Sequence, residues 1–162
     1  MLSKIAKNEI IKLDSSVRQA SLCRSKAALF DFSFVRIIRI CGFNVDSIIE
    51  KLASRDISKM KPGTVVYCLN VSPSGRVLSD FTLWKISDST FDIMTGSMQD
   101  VDYLAQLNNL DISVSDLSNS FCIYSIQGPS SLSCLMEICD SDKLTNLNYY
   151  DFCDLEINSI WV

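Results

Sequence analysis

The chain has 162 residues, 48% of them apolar, and a formal net charge of −4, which allows one domain with a sizeable core. The acidic balance argues against a nucleic-acid partner, since binding phosphate calls for clustered Lys and Arg to displace counterions. No apolar run approaches the roughly eighteen residues of a membrane span, and with no histidine neither a Ser-His-Asp triad nor a His-ligated zinc site can be built.

The opening MLSKIAKNEIIKLD has basic residues but no continuous apolar run or small-residue cleavage site. The expected location is cytoplasmic, or the mitochondrial matrix in a eukaryotic source. Residues 15–28 predict a short helix, with Ser15 or Ser16 as its cap and Arg18, Arg24 and Lys26 on a solvated basic side. Asp31 is expected in a turn or cap. Residues 34–41 (FVRIIRIC) form a β-branched strand stopped by Gly42. Asn44 then caps a helix whose Val45, Ile48, Ile49 and Leu52 make one apolar stripe.

Lys61-Pro62-Gly63 breaks the chain before two strands, 64–71 and 77–86, joined by the Ser72-Pro73-Ser74-Gly75 turn as an antiparallel hairpin. A third strand covers 91–95. Ser97 to Asp100 has capping-box spacing, with Asp where Glu or Gln is usual. The helix it opens points Val101, Leu104 and Leu107 inward. Short strands follow at 112–114 and 121–126. Gly128-Pro129 breaks the chain again, and Ser130 or Ser131 opens a helix with Leu132, Leu135, Met136 and Cys139 on one side. Residues 155–162 complete the chain as a strand. The fold class is α+β, mostly antiparallel sheet with about three to four helices. The seven cysteines include no Cys-x-x-Cys. They are expected as small buried hydrophobes in a reducing compartment, and no metal site is expected.

Asp80 draws attention on physical grounds. It shares a strand face with Leu78 and Thr82, and a carboxylate on a largely apolar face needs a partner or a task. A strand-edge Asp facing water, or paired with Arg76 or Lys85, is the structural alternative. Tyr67 lies thirteen residues before it across the turn, and on sequence alone an ordinary core aromatic is the plainer account of it. Leu69 shares the face of Tyr67.

The segment YCLNVSPSGRVLSD (67–80) stands in an ordered series with LFDFS (29–33), SRDI (54–57), KPG (61–63), FDIMTGS (91–97) and IQGPSS (126–131). In that order the set resembles the folate-binding domain of the glycine-cleavage T-protein (aminomethyltransferase) superfamily. The Gly-Arg after the turn and the Thr95-Gly96-Ser97 segment look most like the version fused to dimethylglycine and sarcosine dehydrogenases. The resemblance covers residues 28–162. Residues 1–27 stand apart as a helical extension. The family continues past this point into an Arg-x-Ser/Gly-Tyr-Thr/Ser-Gly-Glu segment, whose Glu binds the pterin, and a further domain. The sequence is therefore expected to be a partial domain that by itself binds folate weakly and is inactive.

What the resemblance implies is a tetrahydrofolate-dependent one-carbon transferase acting on a methylated amine or an aminomethyl donor, with a flavoprotein or lipoyl-carrier protein as possible partner. Asp80 matches the catalytic Asp, which would stabilise positive charge developing on the amine. Tyr67 matches a tyrosine of the folate pocket, and Leu69 would form its wall. Gly96 stands where aminomethyltransferases proper carry the Asn of Val-Asn-Ala. Tyr149 and Tyr150 match an aromatic pair near the folate, with Tyr150 preferred because strand alternation turns one ring inward. Arg76 could attract the glutamate tail, although an exposed hairpin Arg is the plainer account. No Gly-x-Gly-x-x-Gly fingerprint is present, so any flavin would sit on other sequence. Alternatives are a sister branch that supports iron–sulfur cluster assembly without transfer, and a non-catalytic subunit of an amine oxidase or dehydrogenase.

Overall fold

The computed structural model describes residues 16–109, 111–139, 141–157 and 160–161. Contacts divide the chain into two compact units. One is Asp31–Ile123 with Asn148–Phe152; the other holds the described residues of Met1–Phe30, Tyr124–Leu147 and Cys153–Val162.

The first unit is a five-stranded antiparallel sheet of β2 (Arg36–Gly42), β3 (Thr64–Val71), β4 (Val77–Ser87), β5 (Thr90–Thr95) and β6 (Ile112–Asp116), in the order β3-β4-β5-β2-β6. One sheet face is the core. Cys68 opposes Phe81, Leu83 opposes Ile93, Ile93 opposes Ile38, and Phe91 opposes Ile40. All seven are buried, and Val45 and Ile49 from α2 (Val45–Leu52) and Leu104 from α3 (Met98–Ala105) cover them. The stripe expected on α2 is the one that packs. Its Asp46 in the first turn and Lys51 in the last suit the helix dipole, but Asn44 makes no side-chain cap bond. Asp46 instead pairs with Lys85 on β4 at 3.3 Å. Ser97 caps α3 by accepting from the Asp100 amide. Leu107 lies past the helix end and still packs on the core.

The strand expected from residue 34 starts at Arg36, because the chain first turns. Asp31 Oδ1 accepts from the Ser33 amide, and the Val35 amide bonds the Phe32 carbonyl. Asp31 thus stands just before the turn and braces it with its side chain, its carboxyl held below the ordinary range by Ser33.

In the other unit, α1 (Ser16–Ser25) ends earlier than its basic pattern implied. It is followed by an unforeseen strand, β1 (Ala28–Asp31), paired with β7 (Tyr124–Gln127). The strand expected over 121–126 is therefore shifted later. Gly128 shows why the break falls where it does. At φ +130 it lies so close to the end of α1 that a Cβ would stand 2.4 Å from the Lys26 carbonyl oxygen and 2.5 Å from that of Cys23. The Ser130 amide then takes up the Lys26 carbonyl, a group that the helix end leaves unpaired. In α4 (Ser131–Met136) the expected apolar side is not buried; Leu132 is 47% and Met136 38% exposed. Cys139 falls outside that helix.

A further short helix, α5 (Ser141–Thr145), was not anticipated. It makes five helices among the described residues. The single strand expected over 155–162 is replaced by a hairpin of β8 (Glu156–Ile157) and β9 (Ile160–Trp161). Of the cysteines, Cys68 is buried, while Cys122 and Cys134 are exposed and all seven are free thiols; burial accounts for one of them. Among the described residues no helix is long and apolar enough to cross a membrane.

Candidate functional site

The second face of the five-stranded sheet is where the candidate residues meet. Side chains alternate across the pleat, so Val65, Tyr67 and Leu69 of β3 share this face with Asp80, Thr82 and Trp84 of β4. The register places Tyr67 opposite Thr82 and Leu69 opposite Asp80. Tyr67 reaches diagonally to Asp80, and its Oη donates to Oδ2 at 2.9 Å. Diagonal neighbours on adjacent strands are within reach of an aromatic side chain. Asp80 therefore pairs with neither Arg76 nor Lys85. Among the described residues only one of its carboxylate oxygens is engaged by protein.

Tyr67 is 39% exposed and Asp80 is also exposed. Phe152 packs on Trp84 with ring centroids 5.2 Å apart, covering that end of the face and leaving the Tyr67–Asp80 end open. The segment carrying Phe152 is laid along the outer edge of β3. The Val65 amide donates to the Tyr150 carbonyl, and the Phe152 amide to that of Gly63. The Leu69 amide on the same strand donates to Ser54 Oγ. These bonds close an edge that would otherwise offer unpaired donors.

The Tyr67 phenol is pushed up from its ordinary value, first by donating to Asp80, then by partial desolvation and the Asp80 charge, with Tyr150 adding to the effect. A group with a raised folded pKa contributes its stabilisation fully below the unfolded value, about 10 for Tyr, and loses it as pH rises through the folded value. The bond is thus whole across the neutral range. Unfolding measured against pH is expected to show the parent losing stability above about pH 10 more steeply than Tyr67→Phe. Parallel curves there would mean that the bond does not form in solution.

Leu69 is half-buried beside Asp80, as a wall would be. Gly96 is the exposed residue joining β5 to α3, and a Cβ there would meet nothing within 4 Å; packing within the chain does not require glycine. Tyr150 is not on a strand, so alternation does not apply. It sits at φ +65 in a turn, 41% exposed, with its ring edge-on to Tyr149 at 4.4 Å. Its phenol is raised chiefly by hydrogen bonding with Tyr149. Arg76 is exposed on the hairpin.

Sequence reasoning missed two features. On the Tyr67 face, Arg39 makes a bidentate ion pair with Asp92 at 2.7 and 2.8 Å. Asp92 is only 6% exposed, and the pair raises the Arg39 guanidinium further. The available signal was Arg39 between Ile38 and Ile40, which alternation turns away from the core. The second feature is a cavity of about 270 Å³ lined by Leu52, Asn70, Phe81, Asp100, Tyr103 and Leu104 among others. It lies on the helix-covered side of the sheet; of the candidate residues on β3 and β4, Leu69 lines it and Tyr67 and Asp80 do not.

Residues 9–162 match the model of the GCVT N-terminal domain family. The aminomethyltransferase of Bacillus velezensis is 24% identical over 147 residues, 89% of this chain and 40% of that protein. That of Oceanobacillus iheyensis is 25% identical over 148 residues, 88% of this chain and 40% of that protein. The chain thus spans about two fifths of the length of the curated relatives it matches. The crystal structure of glycine cleavage system aminomethyltransferase T from Bartonella henselae shares the fold, with a TM-score of 0.69 at 18% identity over 83% of this chain and 37% of that one. A family match over nearly the whole sequence, carried on a sheet of the same architecture, makes this chain a member of the GCVT N-terminal domain family.

Proposed function

We propose that this chain is the folate-binding part of a tetrahydrofolate-dependent one-carbon transferase, with Tyr67 and Asp80 at the working site. The observation that carries this reading is the Tyr67–Asp80 hydrogen bond on the open sheet face, in a chain whose relatives are aminomethyltransferases. Their name makes an aminomethyl group the leading choice of one-carbon unit, and a small methylated amine is the other donor of the same chemistry. A protein carrying the donor, lipoyl- or flavin-bearing, would be the partner.

The residues fit a flat polar ring. The exposed Tyr67 ring offers a stacking surface, half-buried Leu69 an apolar wall, and Asp80 a negative charge beside them. Tetrahydrofolate, when bound, supplies the nitrogen that takes up the one-carbon unit. Tyr67 holds one carboxylate oxygen of Asp80, fixing the plane of the group and leaving the other oxygen to face the ligand. The gain from that carboxylate depends on solvent. Two unit charges about 4 Å apart interact by about 1 kcal/mol in water and about 4 at an effective dielectric near 20. Asp80 therefore acts strongly on positive charge only once ligand covers the face. Gly96 and Tyr150 border this reading as residues that let the ligand approach and flank it.

Calorimetry with tetrahydrofolate tests it. Tyr67→Ala, which removes both the ring and the hydroxyl, is expected to weaken binding by about tenfold or more in a protein that still folds. Equal affinity for parent and variant would move the site off this face.

A further inference from the structure

Asp100 is 6% exposed and does more than a capping-box acid normally does. In a capping box the third helical residue turns its side chain back to the cap amide. Here Thr95 Oγ1 takes the Ser97 amide at 3.0 Å, and the shorter Asp100 side chain is free to reach the sheet. Its Oδ1 accepts from Asn70 Nδ2 at 2.9 Å and from Ser79 Oγ at 2.8 Å, while Oδ2 accepts from Thr95 Oγ1 at 2.7 Å. One carboxylate thus joins three neighbouring strands to the start of α3.

The place it grips matters. Asn70 and Ser79 face each other across β3 and β4, and the next pair inward is Leu69 with Asp80. Immediately outward the register slips, so that Val71 opposes Val77 and Leu78 is left over. This is a bulge at the end of the hairpin, and a one-residue displacement of such a feature turns side chains to the other face. Moving it inward by one pair would put Asp80 in or beside the bulge and swing it away from Tyr67. Turn and strand residues at this end are mostly exposed and half-polar, so side-chain burial does little to hold the register there.

From this geometry we infer that Asp100 is a positioning residue for the Tyr67–Asp80 pair, pinning the Asn70–Ser79 rung from the core side and thereby fixing the bulge beyond it. The importance of that pair rests on the functional reading above; the geometric claim does not. It also gives the polar wall of the core-side cavity a task, because Asn70 and Asp100 both line it.

The test uses the phenol of Tyr67 as reporter in the full chain. Near-ultraviolet pH titration of each protein, minus its Tyr67→Phe counterpart, isolates this residue from the other four tyrosines. Asp80→Asn defines the titration expected when the charged partner is gone. Asp100→Ala is expected to move the Tyr67 titration down by at least about half of the Asp80→Asn displacement. If Asp100→Ala does not fold, Ser79→Ala, which removes one arm, carries the same expectation. A folded variant whose thermal midpoint falls while its Tyr67 titration moves by less than half would make Asp100 merely a structural anchor and overturn the inference. Absence of tetrahydrofolate binding in the parent would overturn the functional reading and leave the titration result standing.

Discussion

In the complete transferase to which this domain would belong, Asp80→Asn is expected to slow one-carbon transfer by about 10²–10³-fold while changing tetrahydrofolate affinity much less. Asn keeps the shape of Asp and still accepts the Tyr67 hydroxyl, so the open face and its floor are preserved. What disappears is the negative charge opposite the amine as positive charge develops on it. An interaction that strengthens only toward the transition state appears in the rate and not in ground-state binding. Single-turnover transfer and equilibrium binding on the same preparations separate the two. Equal loss in both would make Asp80 a binding group, and no loss in either would make it a surface residue.

Gly42→Ala is expected to be severely destabilising, by about 3 kcal/mol or more. A Cβ at this position would stand 2.1 Å from the Asp111 carbonyl oxygen and 2.8 Å from Ile112 Cδ1. Neither neighbour can yield easily. Gly42 pairs with Ile112 across β2 and β6, and Ile112 is buried in the core. The backbone angle, φ +157, is a further charge against any side chain there. Urea unfolding should show a lower midpoint with little change in slope. A loss below about 1 kcal/mol would mean that the β2–β6 edge is looser than its pairing implies.

The sheet was legible because its strands obey a simple rule. Residues 64–71 and 77–86 mix β-branched and aromatic residues, bounded by Pro-Gly and Pro-Ser-Gly breaks, and the hairpin formed within a residue of those limits. The α2 stripe worked for the same reason, since Val45 and Ile49 had only one apolar surface to bury against. Local pattern failed where long-range pairing decides. Ala28–Asp31 becomes a strand only because Tyr124–Gln127 is its partner, and no feature of ALFD shows that. The run at 155–162 is strand-like throughout, yet its four strand residues pair with one another.

The candidate site was legible to the same depth. Spacing put Tyr67 and Asp80 on one hairpin, but their meeting depends on the bulge between Asn70 and Val71. The residue that grips the rung beside the bulge, Asp100, lies 21 residues beyond Ser79 and carried only a capping signal. Arg39 and Asp92 are separated by most of the unit and meet through the β2–β5 pairing. Charge pairs of that kind are invisible until the strand order is known.

The most direct test is to map tetrahydrofolate onto the isotope-labelled chain by NMR, which registers weak complexes as well as tight ones. The Tyr67–Asp80 account predicts shifts concentrated at Tyr67, Asp80 and Thr82, extending to Gly96 and Tyr150, with Leu52 and Tyr103 around the core-side cavity undisturbed. Shifts centred on that cavity, or spread without a focus, would contradict it.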